Sequence, residues 1–443
     1  NTTHFLNDKL TLDIGAQYIV QNNKNMVSQG QYYNPLPSLY LFPRGDNFDE
    51  IRLYERYNTN YGYMEQYWPY GDASLSLQNP YWIQNRINRT SNKKRYMMNA
   101  SLKWQATDWL NVVGRVNLDN SDYRNKNEKS ASTLTTFCGV SGGFEDAMRQ
   151  ERSLYADFLA NIDKTFGDFH LTANVGASIY HTSMDQLYIA GDLVIPNFFQ
   201  INNINFSANY KPDPTGYEDE IQSIFASAEL SWKNQLYLTV TGRNDWDSKL
   251  AFSKQKSFFY PSVGLSALLS EMVKLPEVIS YAKIRGSYTV VASSFDRFLT
   301  NPGYEYNSQT HNWANPTVYP MDNMKPEKTK SWEIGLNLKF WGNRFNLDAT
   351  YYRSNTLNQT FKVDIPSSSG YKQAIVQAGN VQNQGLELAL GFNDKWAGFG
   401  WSSNATFTLN RNKVKRLASG SVNPVTGEAI QMDEMNVGWL KRM

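Results

Sequence analysis

From residue 331 onward the chain alternates apolar and polar positions. Trp332, Ile334, Leu336, Leu338 and Phe340 are separated by Ser331, Glu333, Gly335, Asn337 and Lys339. After "WGNR" the pattern resumes, with Phe345, Leu347, Ala349 and Tyr351 against Asn346, Asp348 and Thr350. A period of two is the signature of a strand, because successive side chains point to opposite faces. Pairing Phe340 with Phe345 sets Leu338 opposite Leu347, Leu336 opposite Ala349 and Ile334 opposite Tyr351. Both apolar rows then share one face of a hairpin.

The same alternation recurs along the chain, and helical periodicity is scarce. In "LNVVGRVNLD" Leu110, Val112, Gly114, Val116 and Leu118 face one way, while Asn111, Arg115, Asn117 and Asp119 face the other, with Val113 the exception. "SLYADFLANID" and "FHLTANVGASIY" repeat it around the "KTFGD" turn. With further segments near 9 to 20, 94 to 106, 222 to 233, 235 to 244, 257 to 270, 281 to 291, 384 to 393 and 399 to 410, the alternation rule gives about 13 strands. Short connections ("ATD", "KTFGD", "KN", "WGNR") alternate with long ones near 21 to 93, 121 to 152, 182 to 220, 292 to 330 and 411 to 443. Loops of that length are unusual in a compact domain. Tight turns at one end and long loops at the other describe an all-β fold, a transmembrane antiparallel up-and-down β-barrel.

Side-chain type along the hairpin agrees. Phe340, Trp341 and Phe345 lie by the turn, Trp332, Tyr351 and Tyr352 at the far end, and aliphatic residues between them. Two interfaces flanking a hydrocarbon layer favour this banding, since Trp and Tyr have an apolar body and a polar handle. A soluble β-sandwich would also bury one alternating face. On these strands the apolar face is also free of mid-strand charge, as a lipid-facing surface requires; a charge facing lipid costs about 2 to 4 kcal/mol.

Composition narrows the function. The sequence has no run of about 20 apolar residues that would make a helical span. A formal net charge of +2, with Lys and Arg dispersed, gives no reason to expect nucleic acid. The single cysteine, Cys138, excludes an intramolecular disulfide and any multi-thiolate metal site. His4, His170, His181 and His311 show no metal-ligand spacing. The acidic clusters Asp49/Glu50 and Glu218/Asp219/Glu220 read as solvated loop charge. No nucleophile elbow, phosphate loop or Cys/His pair is present, so no catalytic residue, cofactor or metal site is expected.

Several stretches together resemble the SusC/RagA family of TonB-dependent outer-membrane transporters. They are "NPYWIQNRINRTSNKKRYMMNASLKW", with Asn79, Pro80, Tyr81 and Trp82 as the recurring element, "GRNDWDSKLAFSKQKSFFYPSVGLSALLSE", "YAKIRGSYTVVAS", "MKPEKTKSWEIGLNLKFWGNRFNLDATYYRSN", "GNVQNQGLELAL" and "NATFTLNRNKV". They occur in the family's order over most of the chain. One departure is Asp-Trp-Asp-Ser after Asn244, where the family has a small Ser-rich turn. The resemblance implies that residues 1 to 443 are the wall and loops of a barrel of about 22 strands, without the plug domain and TonB-contacting segment.

What the resemblance implies for function is import of an oligosaccharide or peptide through the outer membrane of a Gram-negative bacterium. Its partners would be a SusD-like surface lipoprotein that closes over the loops as a lid, the TonB complex acting through the plug, and the surrounding outer-membrane lipid. Within "YNTNYGYMEQYWPYGDASLSLQNPYW", Tyr61, Tyr63, Tyr67, Trp68 and Tyr70 are candidate ligand contacts, as flat amphipathic rings beside amides suit sugar stacking. Trp313 is a further candidate of this kind. Asn79, Pro80, Tyr81 and Trp82 are expected to dock the lid or hold the loop. Two alternatives stand beside this reading: a passive porin or structural barrel, and a secreted all-β carbohydrate-binding protein whose alternating face is a soluble core.

Overall fold

The computed structural model describes the chain apart from residues 207–211, 301–302, 308–311, 321–323, 417, 423–426, 428, 433–434, 438–439 and 443. Fourteen strands follow one another as an antiparallel meander. They are β1 (Thr2–Asn7), β2 (Leu10–Lys24), β3 (Ile87–Thr107), β4 (Leu110–Lys129), β5 (Gly143–Phe166), β6 (Phe169–Asp192), β7 (Asp213–Trp232), β8 (Leu236–Asp247), β9 (Phe258–Leu268), β10 (Ile279–Ser293), β11 (Glu327–Phe340), β12 (Phe345–Asp364), β13 (Gln373–Trp396) and β14 (Phe399–Arg416). Each pairs with the next in sequence, and β1 and β14 form the two edges. The short strand Val318–Tyr319 adds a parallel partner at the start of β13.

The hairpin read from the sequence has the expected register. Phe340 faces Phe345, Leu338 faces Leu347, Leu336 faces Ala349 and Ile334 faces Tyr351. Tight turns join β1 to β2, β3 to β4, β5 to β6, β7 to β8, β11 to β12 and β13 to β14, while the β9–β10 connection adds one helical turn, Leu269–Met272. The other connections, including 25 to 86, 130 to 142, 193 to 212 and 294 to 326, lie at the opposite, loop end.

Three expectations are corrected. The meander has fourteen strands among the described residues where about thirteen were expected, because β1 has no apolar alternation to betray it. The long connections are shorter than expected, because the strands run on: β5, β6 and β13 each span 24 residues, more than twice the roughly 9 to 11 needed to cross a bilayer. Glu218, Asp219 and Glu220 lie inside β7, not in a loop.

The apolar face has no cover among the described residues. Ile334 is 54% exposed, Phe158 56% and Val175 54%. Hydrogen-bond register joins such residues into rows, for example Leu265, Gly286, Ile334, Tyr351, Leu386 and Leu409 across six strands. An apolar band of this extent far exceeds the few hundred Å² that soluble monomers expose. At the turn end, Phe340, Trp341, Phe345, Phe392, Trp396, Phe399 and Trp401 touch in sequence, with centroids 5.9 to 6.4 Å apart. Trp332 and Tyr351 form a second aromatic contact, at 5.5 Å, toward the loop end. Among the described residues no helix is long and apolar enough to cross a membrane.

The opposite face is polar and ion-paired. Arg115 forks onto Asp157 at 2.9 and 2.7 Å, and Tyr155 donates to the same carboxylate at 2.8 Å. Arg95 pairs with Asp119. Arg285 contacts Asp348 at 3.1 and 3.3 Å, with Asn337 donating to that carboxylate at 3.0 Å. Bidentate arginine pairs satisfy charge where little water reaches, which the 0% exposed Asp157 side chain requires.

Candidate functional site

At the loop end, residues 25 to 86 fold into a small cap over the polar face. It contains α1 (Pro35–Tyr40), a turn of 3-10 helix at Phe48–Arg52, a hairpin of Glu55–Asn58 with Tyr63–Gln66, and α2 (Pro80–Arg86). α2 starts where its sequence dictates: Asn79 is the N-cap, accepting from the Tyr81 N–H at 2.9 Å, and Pro80 fills the first turn, where no N–H is needed. Asn79 is fully buried. Its Nδ2 donates to the carbonyls of Ile51 (2.8 Å) and Tyr67 (3.1 Å), and its own N–H donates to Gln66 Oε1 at 3.0 Å. One side chain therefore ties the 3-10 turn, the hairpin and the helix together.

Trp82 is equally buried, and its Nε1 donates to Thr133 Oγ1 at 3.1 Å, joining the cap to the 130 to 142 connection. Around it lie Ile83 and Ile87, with Tyr33 and Tyr54 packed alongside. The Tyr81 ring stacks on Tyr54 with centroids 6.4 Å apart. Arg86 forks onto Glu55 at 2.6 and 3.0 Å, and this hydrogen bond is the main reason its guanidinium is held above its usual pKa. Asn79, Pro80 and Trp82 are thus interior residues of the cap, and Tyr81 sits at its edge.

The ring-bearing candidates form two groups, half-buried except for Tyr61. At the hairpin tip Tyr61, 65% exposed, stacks on Tyr63 at 5.6 Å, and Tyr63 donates to the Val140 carbonyl at 3.4 Å. Partial burial, then the neighbouring Tyr61 and Glu65, raise the pKa of the Tyr63 hydroxyl. Trp68 meets Tyr70 edge-on at 5.0 Å and donates from Nε1 to the Gly71 carbonyl at 2.7 Å; Tyr70 in turn meets Phe42 at 5.1 Å. Tyr67 lies under the Arg56 guanidinium, 3.4 Å from its ring centroid. Trp313 is apart from both groups. It pairs with Tyr306 at 5.1 Å on the Glu305–Asn307 and Asn312–Ala314 hairpin and is 69% exposed.

Below the cap, the polar face carries two hollows. The upper, about 310 Å³, is lined by Met26, Arg89, Asn125, Asn127, Glu145 and Tyr188. The lower, about 290 Å³, has Lys93, Arg95, Asp119, Tyr123, Glu151 and Tyr217 on its walls. Arg89 reaches its cap partners, Ser28 Oγ and the Met26 carbonyl at 2.5 Å, and so connects cap to wall. A second buried cluster, Leu250, Phe258, Phe295, Met324 and Ile375, anchors the connections on the far side.

These wall residues were not singled out as functional from the sequence. The available signal was the alternation itself, which placed Arg115, Asp119 and Asp157 on one face; what it did not reveal was their pairing across strands. His170 lies on that face, 2.8 Å from Asp163, and His181 is 3.7 Å from Glu220. Among the described residues no cluster of His, Cys, Asp or Glu could hold a metal ion; His311 lies outside them.

Comparison with known proteins places this geometry. A family model described as TonB dependent receptor-like, beta-barrel, matches residues 32–433. TonB-dependent receptor P3 of Formosa agariphila is 25% identical over 301 residues, covering 65% of this chain and 30% of that protein. TonB-dependent receptor SusC of Bacteroides thetaiotaomicron is 26% identical over 216 residues, 45% of this chain and 21% of its own length. By fold, the RagAB peptide importer in its 'open-open' state matches with a TM-score of 0.77 at 16% identity, over 97% of this chain and 47% of that one. The Escherichia coli outer membrane transporter YddB matches at 0.56 and 11% identity, over 93% and 47%. The chain spans about half of these solved structures and under a third of the curated relatives.

Proposed function

This chain belongs to the TonB dependent receptor-like β-barrel family, outer-membrane receptors and transporters rather than enzymes, and from that premise we propose that the intact protein imports an oligosaccharide or a peptide. The apolar face meets lipid and the polar face lines the lumen. We further propose that a SusD-like lipoprotein closes over the loop end, and that TonB acts through a plug domain to open the path. The observation that supports the reading is the group of aromatic rings in the cap, half-buried apart from the exposed Tyr61, at the loop end of an ion-paired polar wall.

The two parts have complementary roles. Tyr61, Tyr63, Tyr67, Trp68 and Tyr70 offer flat faces with polar edges, which retain a sugar ring or a peptide side chain without requiring charge. Along the wall, Arg115, Arg95 and Arg285 are each neutralised by a carboxylate. A polar cargo moving past them meets hydrogen-bonding groups but no strong single-sign field to hold it. Asn79, Pro80 and Trp82 shape the cap from inside, and Tyr81 and Trp313 are offered to the lid.

The test is uptake by cells carrying the full-length gene, using labelled oligosaccharide and peptide pools, with and without a proton uncoupler. Energy-dependent uptake of one pool is expected, and Tyr67→Ala with Trp68→Ala should lower its affinity at least tenfold, or about 1.4 kcal/mol. Uptake that persists under the uncoupler would leave a passive porin. Unchanged affinity in the double variant would remove the cap from ligand binding.

A further inference from the structure

Charges on the polar face cancel in pairs along most of the wall, and one stretch at its loop end is an exception. β3 turns Arg89, Ser91, Lys93 and Arg95 inward in succession, about 7 Å apart, and the ladders carry these rows onward, Lys93 to Tyr123 and Arg149, Arg95 to Ser121 and Glu151. The two hollows follow one another along this file, the upper one on the cap side. On the outward face Met98 and Leu118 form the last apolar pair, and Lys93 lies about 17 Å farther along the strand. The file therefore stands beyond the hydrocarbon band, on the side from which cargo arrives.

Nearly every charge on these inward rows is already taken. Arg95 forks onto Asp119, Arg149 pairs with Glu151, and Glu145 is held by Lys129. Arg89 directs its N–H groups to the cap, onto the Ser28 hydroxyl and the carbonyls of Met26 and Tyr33. On the β7 side Asp219 accepts from Arg297, which arrives from the 294 to 326 connection, at 2.7 Å, and has Lys249 at 3.9 Å. Lys93 differs from all of these. Its Nζ lies 4.9 Å from the Tyr123 ring centroid and makes no ion pair among the described residues; Asp119, whose field it shares, already belongs to Arg95. One ammonium therefore faces the lumen with donors to spare.

The surroundings of Lys93 define what else a ligand must carry. At about 290 Å³ the lower hollow is close to the lower limit of about 300 Å³ for small-molecule sites. It is bounded by the Tyr123 and Tyr217 rings and by the hydroxyls of Ser121, Ser153 and Thr182, and no aliphatic residue lines it. Tyr217 is held in place by the Arg297 guanidinium, 3.5 Å from its ring centroid. A pyranose makes use of every group present: the rings stack on it, the hydroxyls and the paired carboxylates exchange hydrogen bonds with it, and an anionic substituent meets Lys93. A peptide would bring apolar side chains that nothing here covers.

We infer that the lower hollow recognises an acidic sugar residue of the cargo, a uronate or a sulfated pyranose, and that Lys93 is the residue that selects for its charge. The inference rests on the import reading above and narrows it, from an oligosaccharide or a peptide to an anionic oligosaccharide. The rings of the cap are indifferent to charge, so the cap retains a sugar and Lys93 discriminates among sugars.

The experiment measures binding to the intact transporter, purified from the full-length gene, and uptake by cells that carry it. Four probes are compared: a mixed pool of uronate-bearing and sulfated oligosaccharides, the same pool after carboxyl reduction, the same pool after desulfation, and a pool of glutamate-rich peptides. The untreated pool should bind about tenfold more tightly, or better, than a pool stripped of both groups, and the single treatment that abolishes this preference identifies the anion. Lys93→Gln should lower affinity for the acidic pool by about the same factor and leave the stripped pool unchanged, Lys93→Arg should retain the preference, and added salt should shrink it. Equal affinity for acidic and stripped pools, an unmoved affinity in Lys93→Gln, or preferential retention of the peptides would overturn the inference. Acidic oligosaccharides bound in this manner but not taken up would support the site and count against the import reading alone; energy-dependent uptake of peptides, unaltered by Lys93→Gln, would do the reverse.

Discussion

The wall and the cap bury apolar surface in opposite ways. In the wall, β11 sends Ile334 and Leu336 outward and Asn337 inward to Asp348, so its apolar side chains have no protein neighbours to cover them. In the cap, Trp82 and Ile83 are enclosed together with Ile87, the first residue of β3, with Tyr33 and Tyr54 alongside, as in a soluble domain. The same hydrophobic term acts in both. What differs is its partner: lipid for the wall, neighbouring side chains for the cap. The wall's integrity should therefore depend on the medium and the cap's should not.

Trp82→Ala should have the largest effect, because it empties a fully buried site and orphans Thr133; large aromatic truncations cost about 3 to 5 kcal/mol. Amide exchange should accelerate in α2 and in residues 130 to 142 while β11 and β12 remain protected. Loss of protection in both regions at once would mean that cap and wall form a single cooperative unit. Leu336→Arg should come next, destabilising the wall by about 2 to 4 kcal/mol in lipid vesicles, with the cap unaffected. Lys339→Gln, on the other face of the same strand, should stay within about 0.5 kcal/mol. A urea midpoint that moves equally for both substitutions would contradict the assignment of faces.

How much of this could be read from the sequence follows the same division. Where a strand has lipid on one side and a polar lumen on the other, each residue answers to one environment and alternation is plain, which is why the β11–β12 register was legible to the residue. Beyond the membrane both faces meet water or polar neighbours. "NSDYRNKNEK", the upper half of β4, accordingly carries no period of two although its ladder to β5 continues unbroken. Glu218, Asp219 and Glu220 read as loop for the same reason. β1 was missed because its apolar residues, Phe5 and Leu6, are adjacent rather than alternating. In the cap, seven residues of α2 are too few for a 3.6-residue period to register. Asn79 and Pro80 stood out only as part of a recurring family element, and that Asn79 caps α2 and also serves the distant carbonyls of Ile51 and Tyr67 depends on the tertiary fold.

Asn79→Ala sharpens the comparison at smaller magnitude. It removes an N-cap, which is worth about 1 kcal/mol, and leaves the carbonyls of Ile51 and Tyr67 without their donor, each unsatisfied buried group costing about 1 to 3 kcal/mol. Asn79→Ser retains a cap acceptor and loses the amide donor without burying a charge, so it should fall between Ala and the unmodified protein in protection of α2. If Ser proves as damaging as Ala, the donor bonds rather than the cap set the stability of this element.

Cys138 reports on the cap with the smallest perturbation. Burial pushes its thiol up from 9.0 to about 11, with Lys129 opposing the shift and Asp192 and Glu145 adding to it. Only the thiolate reacts, so maleimide labelling of the intact protein should be slow at pH 7 to 8 and rise about tenfold per pH unit until close to 11. The folded state holds its thiol proton more tightly than the unfolded one. This contribution to stability is therefore complete below about pH 9 and declines as pH rises toward 11. Opening the cap with Trp82→Ala should bring the labelling rate at pH 8 toward that of a free thiol, whereas Leu336→Arg should leave it unchanged. A rate raised equally by both substitutions would show that lipid contact holds the cap closed as well as the wall, and the two modes of burial would then be one.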